Sequence, residues 1–170
     1  GQRILINGAG GSIGSFAVQL AKAAGAHVTA VDASHKAAFL HDLGADRFID
    51  YTTESLDVDP QPYDVVFDMV AGSSYGALVR LLTPTGRYLT GNPTLTKMLR
   101  CTLTSWFSGR SASFAFARET SAELGRLRQL IDAGVVHVVL DGVYPMEQAA
   151  EAHRRVESEA RTGMVVLSMP

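Results

Sequence analysis

One cysteine, Cys101, excludes an internal disulfide, so the chain lacks the framework of a small secreted domain. No run of about 18 apolar residues is available for a membrane-spanning helix, and the first residues lack the basic, apolar and small-residue succession of a secretory signal. Neither sign of charge dominates. Lys and Arg number 15 against 17 Asp and Glu, spread singly, which removes the basic surface of a nucleic-acid binder or of a partner for anionic membranes. The histidines and Cys101 show no close ligand spacing, so no metal is expected. Internal repeats and low-complexity tracts are also missing. What remains is a chain of 170 residues, 46% of them hydrophobic, with ample material for a soluble core. A reducing cytoplasm is the expected compartment.

The most informative stretch is Ile4-Leu5-Ile6-Asn7-Gly8-Ala9-Gly10-Gly11-Ser12-Ile13-Gly14, followed by the Ala-rich amphipathic run from Ser15 to Ala24 and then Gly25. An apolar run, a glycine cluster and an amphipathic run read as strand, tight turn and helix. Glycines let the main chain turn sharply and let a pyrophosphate approach, and the N–H groups and dipole of the new helix favour its negative charge. Laid on the spacing G-x-G-x-x-G, the cluster reads Ala9, Gly11 and Gly14, with Ala9 in the first glycine's place and Ser12 and Ile13 between the other two. The next apolar run, His27 to Val31, ends on Asp32, where a carboxylate accepts hydrogen bonds from an adenosine ribose. Asp is also common at such a place as a turn or cap residue.

Further on, strands and helices alternate with short connections, the pattern of a doubly wound α/β fold, here a six-stranded parallel sheet with helices on both faces. Ser34 is expected to cap a helix that Gly44 ends. Strands are expected at Arg47–Tyr51, Asp64–Val70 and Arg87–Gly91, with a helix from Ser74 to Leu82 and a turn at Thr83–Gly86 before the last of these. Thr52 to Pro62 reads as loop or poor helix. Thr94 to Gly109 looks helical but not cleanly amphipathic; it packs either on a neighbouring domain or subunit or on the core. Glu119 to Ala133 reads as a helix with Leu124, Leu127, Leu130 and Ile131 on one face. Val135–Leu140 is expected as the sixth strand, with His137 partly buried in it. A helix at Met146–Ser158 and a strand at Met164–Leu167 close the chain. Ligands in such sheets lie beyond the carboxyl ends of the strands, which adds Val70, Ala71 and Gly72 after the fourth strand and Gly91 and Asn92 after the fifth.

Taken in order, Gly1–Ala9, the glycine loop with Phe16–Lys22, Leu43-Gly44-Ala45-Asp46, Ile49-Asp50-Tyr51, Tyr63–Asp68, Gly86-Arg87-Tyr88, Tyr144–His153 and Gly163–Leu167 resemble the cofactor-binding half of the medium-chain dehydrogenase/reductase superfamily. The likeness is greater to the zinc-independent, quinone oxidoreductase-like branch than to the zinc alcohol dehydrogenases. It implies an oxidoreductase moving a hydride between a nicotinamide and a carbonyl, enone, quinone or alcohol. It also implies a Rossmann domain over residues 1–143 and a segment, 144–170, that returns to an N-terminal substrate domain. The sequence begins at the first Rossmann strand, so the expectation is a cofactor-binding piece without turnover of its own, and no catalytic residue is assigned. The loop departs from the family pattern at Gly10 and Ser12; main-chain N–H groups suffice there, and the Ser12 hydroxyl comes within reach of a phosphate oxygen. By the same resemblance Lys36 and Tyr51 fall where NADPH-dependent relatives contact the 2′-phosphate. Asp32 would repel that phosphate, so NAD is favoured over NADP. A solvated first-turn position is the other reading of Lys36.

Other readings draw on the same residues. Gly72-Ser73-Ser74-Tyr75-Gly76 has the G-x-S-x-G form of a hydrolase elbow, with Asp141 and His153 following in the required order, but this leaves the first glycine loop and Asp32 without a role. A methyltransferase commonly has an acid leading into its loop, where Asn7 stands here. No Tyr has Lys four residues on, the pair a short-chain dehydrogenase needs. The non-enzymatic alternative is a nucleotide-binding or oligomerisation module without turnover. The apolar Val135, Val136, Val138 and Val139 point to a sheet edge that pairs across a two-fold axis, hence a homodimer.

Overall fold

The computed structural model describes residues 1–56, 60–114 and 120–169. Its first elements are β1 (Arg3–Asn7), α1 (Ser12–Ala23), β2 (His27–Asp32), a 3₁₀ turn (Ser34–Lys36), α2 (Ala37–Asp42) and β3 (Arg47–Asp50). Then come β4 (Tyr63–Asp68), α3 (Tyr75–Arg80), β5 (Leu82–Thr90), α4 (Leu95–Phe107) and β6 (Ser111–Phe114). The chain closes with α5 (Ser121–Asp132), β7 (Leu140–Pro145), a second 3₁₀ turn (Met146–Gln148), α6 (Ala149–Glu157) and β8 (Met164–Ser168).

Strands β1 to β6 form one sheet in the order β3-β2-β1-β4-β5-β6, every neighbouring pair parallel. Adjacent side chains of a strand face opposite sides, and both sides of β1 are fully covered. Leu5 packs with Val31, Ile49, Val66, Leu78 and Tyr88 on one face. Ile6 packs with Val18, Val28, Ala30 and Leu40 on the other. The unbroken apolar centres of these strands follow from that two-sided burial. The order reverses between β1 and β4, and the divergence of the connections on either side opens a crevice at their carboxyl ends.

The six-stranded sheet matches the sequence expectation, but its last strand does not. Val135–Val139 forms no strand. Val136 is buried, while Val135, His137 and Val138 are exposed. The Gln19 side chain of α1 holds this segment instead, accepting from the His137 N–H at 2.6 Å and donating to the His137 carbonyl at 3.0 Å. The edge belongs to β6, which pairs with β5; the apolar valines therefore cannot supply the two-fold edge expected of them. Leu140–Pro145 pairs with Met164–Ser168 in a separate two-stranded parallel sheet.

Smaller departures have local causes. Ser34 is the first residue of the 3₁₀ turn rather than a cap. Thr83–Gly86 lies within β5, where a register shift absorbs it. Residues 57–59 and Glu119, parts of the expected loop and helix, lie outside the described residues. Within α5 no residue is buried, and Leu124 stands largely in solvent. On α4, Cys101 and Lys97 face the core, while Leu95, Leu99, Leu103, Trp106 and Phe107 are all exposed. No helix among the described residues is long and apolar enough to cross a membrane.

The start of α1 is set by close approach. A side chain at Gly14 would collide with the Gly8 carbonyl oxygen and stand 2.5 Å from that of Ala9. Gly125, within α5, has open space around it. Gly14→Ala is therefore expected to destabilise the chain by about 1–3 kcal/mol despite the better helix propensity of Ala. Gly125→Ala is expected to stabilise it by about 0.5–1 kcal/mol. Urea unfolding of the two variants checks the opposite signs.

Candidate functional site

The loop from Gly8 to Gly11 turns out of β1 with Gly8 at φ +82°, a left-handed conformation that glycine adopts without strain. The Gly8 and Ala9 N–H groups both donate to the Val31 carbonyl, at 3.1 and 3.2 Å, which anchors the loop on β2. Gly11 caps α1 without a side-chain hydrogen bond. The first-turn N–H groups of Ser12, Ile13 and Gly14 have no acceptor four residues back within the helix, so they form an opening suited to an anion.

Asp32 braces this loop from the side. Its Oδ2 accepts the Gly10 N–H at 2.7 Å, and its Oδ1 accepts the Ala33 N–H at 2.9 Å and stands 2.9 Å from Lys36 Nζ. Both side chains are nearly enclosed. Any side chain at Gly10 would run into the Lys36 stem and approach Asp32 Oδ2 to 3.0 Å. Gly10, which the motif spacing leaves outside the pattern, thus makes the contact that joins loop and acid. Its signal in the sequence is the extra glycine directly before Gly11.

The other expected residues divide between those at the mouth and those turned elsewhere. Tyr51 follows β3, where Asp50 is in register with Asp32; it is exposed, and its N–H donates to the Asp32 carbonyl at 3.4 Å. Lys36 points inward onto Asp32. The Ser12 hydroxyl donates to the Gly163 carbonyl at 3.1 Å, leaving Ser12's main-chain N–H at the cradle. Ile13 and Val70 are exposed, while the space where Gly91 would carry a side chain is filled by the end of Met69.

At the carboxyl end of β4 a second carboxylate is fully buried. Asp68 accepts hydrogen bonds from Asn7 Nδ2 at 2.9 Å, Tyr88 Oη at 2.6 Å, the Val70 N–H at 3.2 Å and the Ser73 hydroxyl, and it pairs with Lys97 Nζ at 3.1 Å. Lys97 also donates to the Val70 carbonyl and to Ser73 Oγ, fixing the turn after β4. Burial pushes the Asp68 carboxyl up, but hydrogen bonds from Ser73, Tyr88, Asn7 and Lys97 outweigh it and hold the group below the usual carboxylate range. Burial, and then Asp68 itself, raise the Tyr88 hydroxyl. Sequence reasoning missed Lys97. A lysine in the first turn of α4, three residues after the cap Thr94, opposes the helix dipole, and that conflict was the available signal.

The hydrolase residues are not assembled. Asp141 is held by Arg155 through two bonds of 2.7 Å, His153 is exposed on α6, and no hydrogen bond among the described residues joins Ser74 to either. Among the described residues no group of three His, Cys, Asp or Glu stands close enough together to hold a metal ion.

Comparison with known proteins shows which family the chain is similar to. The profile of a family described as zinc-binding dehydrogenase matches residues 43–167. The mouse mitochondrial NAD(P)H oxidoreductase RTN4IP1 is 31% identical over 99% of this chain and 48% of its own length. The Arabidopsis thaliana chloroplastic NADPH-dependent alkenal/one oxidoreductase is 31% identical over 96% of this chain and 39% of its own. The quinone oxidoreductase structure from Coxiella burnetii superimposes with a TM-score of 0.90 at 27% identity, over 100% of this chain and 53% of that one. The chain spans about half the length of the curated relatives it matches.

Replacing Lys97 by Met strands the Asp68 charge in the core. A loss of about 3–5 kcal/mol is expected, and Asp68→Asn with Lys97→Met should cost less than the sum of the single changes. Because the Asp68 pKa is depressed on folding, its contribution is present above about pH 4 and is lost as pH falls through the lower folded value. Denaturant titrations of the four proteins at pH 7 and pH 3 measure both effects.

Proposed function

Since this chain belongs to the zinc-binding dehydrogenase family, within the medium-chain dehydrogenases/reductases, we propose that it is the NAD(P)-binding domain of an oxidoreductase acting on a carbonyl, enone, quinone or alcohol. The observation that carries this reading is the open N-terminus of α1 beside a carboxylate braced by the Gly10 N–H. The first-turn N–H groups of Ser12, Ile13 and Gly14 hold the diphosphate, Ala9 and Gly11 shape the turn that leaves room for it, and Gly14 keeps the helix close enough to present those groups. Asp32, with Tyr51 beside it, takes the adenosine ribose. Val70 and Gly91 border the nicotinamide end, where the Asp68–Lys97 pair keeps the turn after β4 in one conformation. When bound, the nicotinamide supplies hydride transfer at its C4. Residues 144–170 carry the chain toward the substrate-binding part.

NAD is the better fit. A 2′-phosphate would meet the Asp32 carboxylate, and the Lys36 charge that could offset it is already paired with that carboxylate. The name of the Arabidopsis relative points the other way, to the phosphorylated cofactor; the reading of NAD rests on the local charge. A cytoplasmic homodimer belongs to the same proposal, its interface now at the β6 edge and the exposed apolar residues of α4. Light scattering at micromolar concentration should give twice the chain mass, and a monomeric mass would remove the dimer.

Fluorescence titration with NADH and NADPH tests the cofactor assignment. NADH is expected to bind about tenfold or more tightly, a difference of about 1.4 kcal/mol. A tenfold preference for NADPH would overturn the choice of NAD, and binding of neither would overturn the dinucleotide reading.

A further inference from the structure

We propose that Lys97 sets the oxidation-state preference of the cofactor site: by cancelling the Asp68 charge it leaves a crevice that favours the neutral reduced nicotinamide over the cationic oxidised one. This rests on the dinucleotide reading above. The polar groups of the turn after β4 are drawn inward. Asp68 Oδ1 accepts the Val70 N–H at 3.2 Å, and the Val70 carbonyl accepts from Lys97 Nζ at 3.2 Å and from the Ser73 N–H at 3.3 Å. Met69 is treated alike, its N–H donating to the Asn7 carbonyl at 3.0 Å and its carbonyl accepting from Asn92 Nδ2. What the turn shows to the crevice is apolar. The Val70 side chain is exposed and reaches to 3.1 Å from the point a Gly8 side chain would occupy, and the end of Met69 fills the space beside Gly91.

The charge behind this wall decides which nicotinamide it suits. The oxidised ring carries a positive charge that the reduced ring lacks, and an apolar surface disfavours the charged form. An uncompensated carboxylate two residues from Val70 would reverse that preference, because a charge in a low-dielectric interior is weakly screened. Asp68 is fully buried, and the hydrogen bonds from Ser73, Tyr88, Asn7 and Lys97 keep it ionised. Lys97 Nζ, itself nearly enclosed, stands 3.1 Å from Asp68 Oδ2 and cancels the charge. The crevice then faces a dipole rather than an anion. With the ammonium removed, Ser73, Tyr88, Asn7 and the Val70 N–H would still donate to the carboxylate and hold it charged.

Calorimetric titration of the full chain with NADH, oxidised NAD and ADP-ribose, which lacks the nicotinamide, tests the assignment. The unsubstituted chain should bind NADH about tenfold or more tightly than oxidised NAD, and Lys97→Met should narrow that ratio about tenfold with ADP-ribose unchanged. Asp68→Asn combined with Lys97→Met removes both charges and should restore the ratio. Oxidised NAD bound as tightly as NADH by the unsubstituted chain, a ratio unmoved by Lys97→Met, or no recovery in the double variant would each overturn the role of Lys97 while the dinucleotide reading stands. Equal losses for all three ligands in Lys97→Met would make Lys97 a support of the fold and also overturn it. Failure of the unsubstituted chain to bind any of the three would overturn both. If Lys97→Met does not fold, Asp68→Asn decides. It leaves an uncompensated ammonium and should widen the preference for NADH; a preference unchanged or narrowed overturns the proposal.

Discussion

The approach of α1 to the end of β1, where Gly14 lies against the carbonyls of Gly8 and Ala9, is the constraint on which the rest of this structure depends. It leaves no room for a side chain, and it brings the first turn of the helix directly onto the loop that leaves the strand. The same loop hangs from β2 through the Val31 carbonyl and leans on Asp32 through the Gly10 N–H. Strand, loop, helix and acid are tied together by these contacts before any ligand arrives. Preorganisation of this kind lowers the ordering cost of binding.

Two enclosed ion pairs flank the crevice where the strand order reverses. Asp32–Lys36 lies at the end of β2 and Asp68–Lys97 at the end of β4. Buried pairs of this type are weak contributors to stability, because desolvation offsets their attraction. Their geometry is the more informative property. Each lysine reaches from a helical segment that follows its strand or the next one and fixes a turn: Asp32 receives Gly10 and Ala33, while Lys97 ties Val70 and Ser73 to Asp68. The adenosine and nicotinamide sides of the proposed site are thus built alike, a carboxylate neutralised from behind with main chain arranged around it.

Much of this was legible because it is local. The run from Ile4 to Gly25 and the acid at Asp32 carry their own periodicity, turn chemistry and spacing. The sheet edge was not legible. Ser111-Ala112-Ser113-Phe114 has small polar residues and a weak strand signal, yet it pairs with β5, while the valines from Val135 to Val139 have strong strand propensity and no strand partner. Gln19 settles that competition from 118 residues away. Lys97 was missed for a related reason. It matters through a partner brought close only by the fold, Asp68.

A crystal structure of the chain with NADH bound tests the central claim most directly. The account predicts both phosphates within hydrogen-bonding distance of the main-chain N–H groups from Gly11 to Gly14, with the adenosine ribose on Asp32. A dinucleotide bound elsewhere, or a loop that stays closed over its own side chains at saturating NADH, would contradict it.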